Sequence, residues 1–178
     1  MGRGRLTDTL GPVDAVEVVR VLDALDAVGL GWGITGGWGI DALLRRQTRS
    51  HADLDLGIAS EAVDDAIDAL EPLGYVLVRD ERPARAVLTS ELGQVDLHPI
   101  VWQPSRDGVQ TGLNGETFDY PAGSLDAEGE IAGRAVRCGT PELQVAFHGH
   151  YEPRDHDRRD MAALAAAFDM ALPRAYTD

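Results

Sequence analysis

The chain contains no lysine: all sixteen of its basic residues are arginine. That absence removes lysine nucleophiles and Schiff-base chemistry from consideration. Cysteine is nearly absent too. The single thiol, Cys138, has no intrachain partner for a disulfide, which fits a reducing cytoplasm and leaves it as a small buried hydrophobe. No apolar run approaches the roughly 18 residues that cross a bilayer, so no membrane partner is expected. Met1-Gly2-Arg3-Gly4-Arg5 carries two arginines without an apolar stretch behind them, so no signal peptide is expected. Positive charge is in deficit: thirty acidic residues give a net charge of −14, which disfavours nucleic acid and either favours a small or cationic partner or only keeps the protein soluble. There is no G-x-S-x-G elbow for a triad hydrolase and no zinc spacing of Cys and His.

What is present is enough for one domain. In 178 residues, 44% are hydrophobic, and no linker, repeat or low-complexity tract divides them. Val18, Val21, Leu22, Leu25 and Val28 recur at helical spacing before Gly29. A short apolar strand over 32–35 runs into Gly36-Gly37, and a helix over 38–46 follows. Asp53 and Asp55 alternate with Leu54 and Leu56, which makes a strand with both carboxylates on one face. Ser60 is placed to N-cap a helix over 61–70. Further strands are expected at 75–78, 86–89, 95–97 and 135–138, the third ending before Pro99. The Gly-, Asp- and Pro-rich stretch 103–129 reads as a long substrate-facing loop with a short strand near Phe118. Thr140-Pro141-Glu142 starts a helix, and a second runs from about 155 to 172, so 140–178 forms a helical end. The whole is a mixed α/β unit, 1–178, with a small twisted sheet flanked by helices.

Two ionised carboxylates close together want a cation between them, and strands disfavour aspartate, so the Asp53–Asp55 pair calls for a reason. Magnesium suits such oxygen donors. Bare amides at Gly36-Gly37, between a strand and a helix, make either a ready anion site or an ordinary tight turn. Asp41 either fixes the glycine turn or is an ordinary acid of the first helical turn, the latter favoured. Arg49 and His51 flank the pair, either facing phosphate or as a surface arginine and a satisfied turn histidine. Asp96 has the parity to join the pair and to take a proton from an attacking hydroxyl, and His98 extends the same face. The His- and Asp-rich run 147–160 reads as helix capping and a charged helix face.

Gly36-Gly37-Trp38-Gly39-Ile40-Asp41 through Arg49-x-His51-x-Asp53-x-Asp55 resembles the antibiotic nucleotidyltransferases of the DNA polymerase β superfamily. Asp96-Leu97-His98-Pro99, Val136-Arg137-Cys138 and Phe147-His148-x-x-Tyr151 with Asp157 and Asp160 resemble the small lincosamide nucleotidyltransferases, and 131–138 is also similar to the aminoglycoside 2''-adenylyltransferases. The resemblance implies a nucleotidyltransferase fold and Mg2+-dependent transfer of AMP from ATP to an antibiotic hydroxyl, with release of pyrophosphate. A lincosamide is the favoured acceptor and an aminoglycoside the alternative. It implies Asp53, Asp55 and Asp96 as metal and catalytic residues, Gly36, Gly37, Arg49 and His51 around the triphosphate, and His98, His148 and Tyr151 near the acceptor. Gly37 stands where many superfamily members carry serine. A homodimer is consistent with so short a chain. A non-catalytic nucleotide-binding or toxin–antitoxin module on the same fold is the reading from another class.

Overall fold

The computed structural model describes residues 11–177; the stretch 1–5 discussed above lies outside them. The elements run α1 (Ala15–Ala27), β1 (Trp32–Thr35), α2 (Gly36–Leu44), β2 (Asp53–Ala59), α3 (Val63–Leu70), β3 (Val76–Glu81), β4 (Arg85–Ser90) and β5 (Gly93–Trp102). Then come β6 (Gly108–Thr111), β7 (Thr117–Tyr120), β8 (Ala127–Ile131), β9 (Arg134–Cys138), α4 (Pro141–His148) and α5 (Asp155–Phe168). The main sheet has the order β3-β4-β5-β2-β1-β9-β8, and a β6–β7 hairpin extends from the far end of β5. The mixed α/β class and the helical C-terminal end are as expected, and no helix among the described residues is long and apolar enough to cross a membrane.

Alternation decides which face is which. β2 pairs antiparallel to β1 with Ile34 opposite Leu56 and Thr35 opposite Asp55, and parallel to β5 with Leu56 beside Leu97 and Asp55 beside Asp96. One face therefore carries Ile34, Leu54, Leu56, Val95, Leu97, Ala86 and Leu88, all fully buried. They pack in one cluster with Val18, Val21, Leu22 and Leu25 of α1 and Val63, Ala66 and Leu70 of α3. Burying one such side chain contributes about 1.5–3 kcal/mol. A one-residue slip of β2 would forfeit several of these at once and turn Asp53 and Asp55 into the core. The hydrophobic face thus holds the carboxylates on the opposite side.

Four local expectations need correction. The helix after β1 begins at Gly36, two residues early, because Gly36 takes φ 61° and turns the chain directly out of the strand. Ser60 does not cap α3: residues 60–62 form a 3-10 turn, the Ser60 hydroxyl donates to Glu61, and α3 starts at Val63. β5 runs through Pro99 to Trp102. Pro99 lies where pairing with β4 has ended at Leu97 and pairing with β6 has not begun, so no partner on that edge requires its missing N–H. The stretch 103–129 is no long loop. It holds the hairpin, with Gln110 opposite Phe118, and the start of β8. Asp107, Gly112, Gly115, Gly123 and Asp126 occupy the short turns between strands, so composition reported the turns and hid the strands.

Candidate active site

Four strands and a helix start converge on one face of the sheet. The β2–β5 register sets Asp53 beside Gln94, Asp55 beside Asp96 and Gly57 beside His98. In a parallel pair such neighbours share a face, so the expected alignment of Asp96 and His98 with the aspartate pair holds. β4 adds Val87 opposite Asp96, which brings Arg85 to the same side. The glycine turn closes the end. A Cβ on Gly36 would collide with Asp55 Oδ2, and one on Gly37 would collide with His51 Nδ1 and come within 2.6 Å of Arg49 Nη2. Glycine at both positions is what lets the turn lie against these side chains, and the same packing leaves no room for a serine at Gly37.

The hydrogen bonds assign each group a place. His98 Nε2 donates to Asp55 Oδ1 at 2.8 Å, while its Nδ1 accepts from Gln110 Nε2 at 3.0 Å. The Gln110 amide also donates to the Ala84 carbonyl and accepts from the Tyr120 hydroxyl at 2.7 Å. Asp96 is buried, receives Gln94 Nε2 at 2.7 Å on one oxygen and Arg85 Nη1 at 3.1 Å on the other. Asp41 is not a first-turn acid. It lies in the sixth position of α2, 2% exposed, and accepts the amide and hydroxyl of Thr48 together with His51 Nε2. His51 is buried against Trp38, with ring centroids 4.7 Å apart, and Arg49 is no surface arginine, since Asp160 grips it.

Burial and mutual repulsion oppose ionisation here. The Asp53 carboxyl is pushed from 3.8 up to about 6, first by burial and then by the charges of Asp55 and Asp96. Asp96 is raised as well, by burial and by Asp55, with Gln94, His98 and Arg85 pulling the other way. For His98, burial works against the charged form, but the hydrogen bond to Asp55 and the charges of Asp55 and Asp96 outweigh it, so it is raised. A hard divalent cation fits this all-oxygen pair and its uncompensated charge. Among the described residues no three His, Cys, Asp or Glu side chains form a ready-made metal cluster. What the face offers is the Asp53–Asp55 pair, with Asp96 beside it already engaged by Arg85 and Gln94.

Gly36, Gly37, Asp53, Asp55, Arg85 and His98 line one cavity of about 640 Å³, with Asp96 and Gln94 behind its surface. Its far wall is aromatic: Phe118 and Phe147 meet edge to face at 5.6 Å, and Tyr120 and Phe147 at 5.0 Å. His148 and Tyr151 border the cavity too, but both are tied: His148 Nδ1 donates to the Gln144 carbonyl, and the Tyr151 hydroxyl donates to Asp157. The run 147–160 is only partly the capping expected of it. Asp157 does cap α5, accepting from Arg154 N, yet Asp157, Asp160 and His148 are all buried rather than forming a charged outer face. Sequence reasoning did not single out Arg85, Gln94, Gln110, Tyr120 or Gln144. The parity of Arg85 could have flagged it; for Gln110 and Tyr120, hidden in an unrecognised hairpin, there was no local signal.

Residues 17–164 match the family described as aminoglycoside-2''-adenylyltransferase. The chain belongs to this family of antibiotic nucleotidyltransferases. It is 30% identical over 150 residues to a lincosamide resistance protein of Staphylococcus haemolyticus, covering 83% of this chain and 92% of that protein. It is 33% identical over 135 residues to a 2''-aminoglycoside nucleotidyltransferase of Escherichia coli, covering 74% of this chain and 71% of the relative. The crystal structure of the lincosamide antibiotic adenylyltransferase LnuA, lincomycin-bound, superposes with TM-score 0.77 at 27% identity, over 88% of this chain and 99% of that one. The solution structure of ANT(2'')-Ia superposes with TM-score 0.72 at 26% identity, over 86% of this chain and 83% of that one. The nucleotidyltransferase fold and the enzyme class expected from the glycine turn and the aspartate pair are therefore correct, and the non-catalytic module is set aside.

Proposed function

We propose that this antibiotic nucleotidyltransferase transfers AMP from ATP to a hydroxyl of a lincosamide, releasing pyrophosphate. The observation that carries the reading is the meeting of the Gly36-Gly37 turn with Asp53 and Asp55 in one cavity, with Asp96 beside Asp55 on the same face of the sheet. The amides at the start of α2 would cradle the triphosphate, with Arg49 and His51 beside them. Asp53 and Asp55 would hold Mg2+, with Asp96 as a third carboxylate; when bound, the ion supplies charge neutralisation and alignment of the phosphate oxygens. Asp96 would take the proton of the acceptor hydroxyl as its oxygen bonds to the α-phosphorus and the bond from that phosphorus to the pyrophosphate oxygen breaks.

The cavity wall favours the acceptor. Phe118, Tyr120, Phe147 and Leu113 offer an apolar surface, while Glu116 and Asp157 are the carboxylates lining the cavity apart from the Asp53–Asp55 pair. An aromatic patch with two acids suits one basic nitrogen on an alkyl-bearing body. An aminoglycoside polycation, the alternative acceptor, calls for more carboxylates. The matched family and the relatives of both acceptor types support nucleotidyl transfer in either case. Action in the cytoplasm, on small molecules and not on nucleic acid, belongs to the same proposal.

The test is a mass-spectrometric screen of purified protein with Mg2+, ATP or GTP, and lincomycin or tobramycin. An adenylyl adduct on lincomycin that disappears in Asp96→Asn is expected. An adduct on tobramycin alone would transfer the reading to aminoglycosides, and no adduct on any acceptor would sink it.

A further inference from the structure

Arg49 borders the cavity; the carboxylate that holds it does not. Asp160 lies on α5, 3% exposed and 111 residues away in sequence. Arg49 Nε donates to both its oxygens, at 3.2 and 3.0 Å, and Nη2 donates to Oδ2 at 2.8 Å. On the other edge, Nη1 donates to the Ser50 carbonyl at 3.1 Å. The guanidinium is thus fixed in plane as well as in place. It is fixed against the glycine turn, since Nη2 is the atom a Cβ on Gly37 would approach.

α5 does not need this pair in order to dock. Ile40 of α2 packs with Met161 and Leu164 in a fully buried cluster, joined by Leu43, Leu44 and Val145. A buried ion pair returns little net stability after its desolvation, whereas removing one partner strands the other. Orientation is the return that fits the geometry: a fork held on two edges leaves one N–H on each Nη nitrogen, beside the first turn of α2.

We infer that Asp160 is a positioning residue for nucleotide recognition: it sets the Arg49 guanidinium against the glycine turn and thereby couples the C-terminal helix α5 to occupancy of the phosphate site. This rests on the triphosphate reading above. It also makes a specific demand, because Asp160 then acts only through Arg49.

The test is a double-mutant cycle read by calorimetric titration with ATP and Mg2+, with thermal melts alongside. Asp160→Asn, which keeps the shape and removes the charge, is expected to weaken ATP binding on the order of tenfold. The KM for ATP should rise far more than kcat falls, and the KM for the acceptor should hold. In an Arg49→Ala background the same substitution should change ATP affinity by less than about twofold, while raising the melting temperature by relieving the stranded carboxylate. In the wild type, ATP with Mg2+ should increase hydrogen-exchange protection across 155–168, and Asp160→Asn should abolish the increase. Met161→Ala serves as the control that loosens α5 without touching Arg49. Equal loss of ATP affinity in Met161→Ala and Asp160→Asn, or full additivity in the cycle, overturns the inference. A wild type that binds no nucleoside triphosphate removes the underlying reading and this role with it.

Discussion

His98 Nε2 donates to Asp55 Oδ1 across 2.8 Å, and the proton is on that nitrogen because Nδ1 accepts from Gln110. Both ring nitrogens therefore have partners, which suits His98 to orienting an aspartate. Groups that hold a metal-binding carboxylate typically matter by 10–100-fold in affinity or activity. His98→Ala is expected to weaken the Mg2+ dependence of the rate by roughly that range, and Gln110→Leu to do so less. Titration of the initial rate with Mg2+ checks both; unchanged half-saturation would separate His98 from the metal site.

Arg85 holds one oxygen of Asp96 and its charge favours the ionised carboxylate. Its removal raises the Asp96 pKa further, so the base proposed above would be protonated over a wider range. Arg85→Gln should move the acidic limb of the kcat/KM profile to higher pH and lower the rate near neutrality, with partial recovery in alkali. A profile that keeps its position would leave Arg85 without a role in the base.

Asp53 supplies a pH dependence in the metal-free protein. Its folded pKa of about 6 stands above the ordinary 3.8, raised by burial and then by Asp55 and Asp96. The folded state therefore binds this proton more tightly, and the stabilising contribution of Asp53 is lost as pH rises through about 6. With metal chelated, Asp53→Asn should melt a few degrees above the wild type at pH 8 and approach it at pH 5. Melts across that range decide the matter, and a gap that widens towards acid would reverse the sign.

Gly37→Ala places a methyl where His51 Nδ1 and Arg49 Nη2 now lie. Displacing either spoils the turn, so ATP binding should weaken on the order of tenfold or more in a chain that still folds. Calorimetry beside a thermal melt distinguishes this from general unfolding.

Much of the site was legible from parity. Asp53, Asp55, Asp96 and His98 each follow from period-two strands whose apolar partners must face one core, and the register puts them together. The glycine turn was legible because few other residues leave a strand so abruptly. The rest depends on contacts that no local pattern encodes. Asp160 reaches Arg49 from a helix whose charged residues looked like a solvated face, and Asp41 gave no sign that His51 would fold back on it. The β6–β7 hairpin was lost because its turns dominate its composition.

Among the described residues, that hairpin pairs its backbone with the main sheet only through the end of β5. The strand that sets Asp96 and His98 beside the aspartate pair continues outward to the hairpin that bears Gln110, Phe118 and Tyr120. Changes in its turns, at 103–107 and 112–116, leave the β2–β5 register untouched. On the proposed reading, acceptor preference would drift along one short ribbon under natural selection while the carboxylate face stays in place.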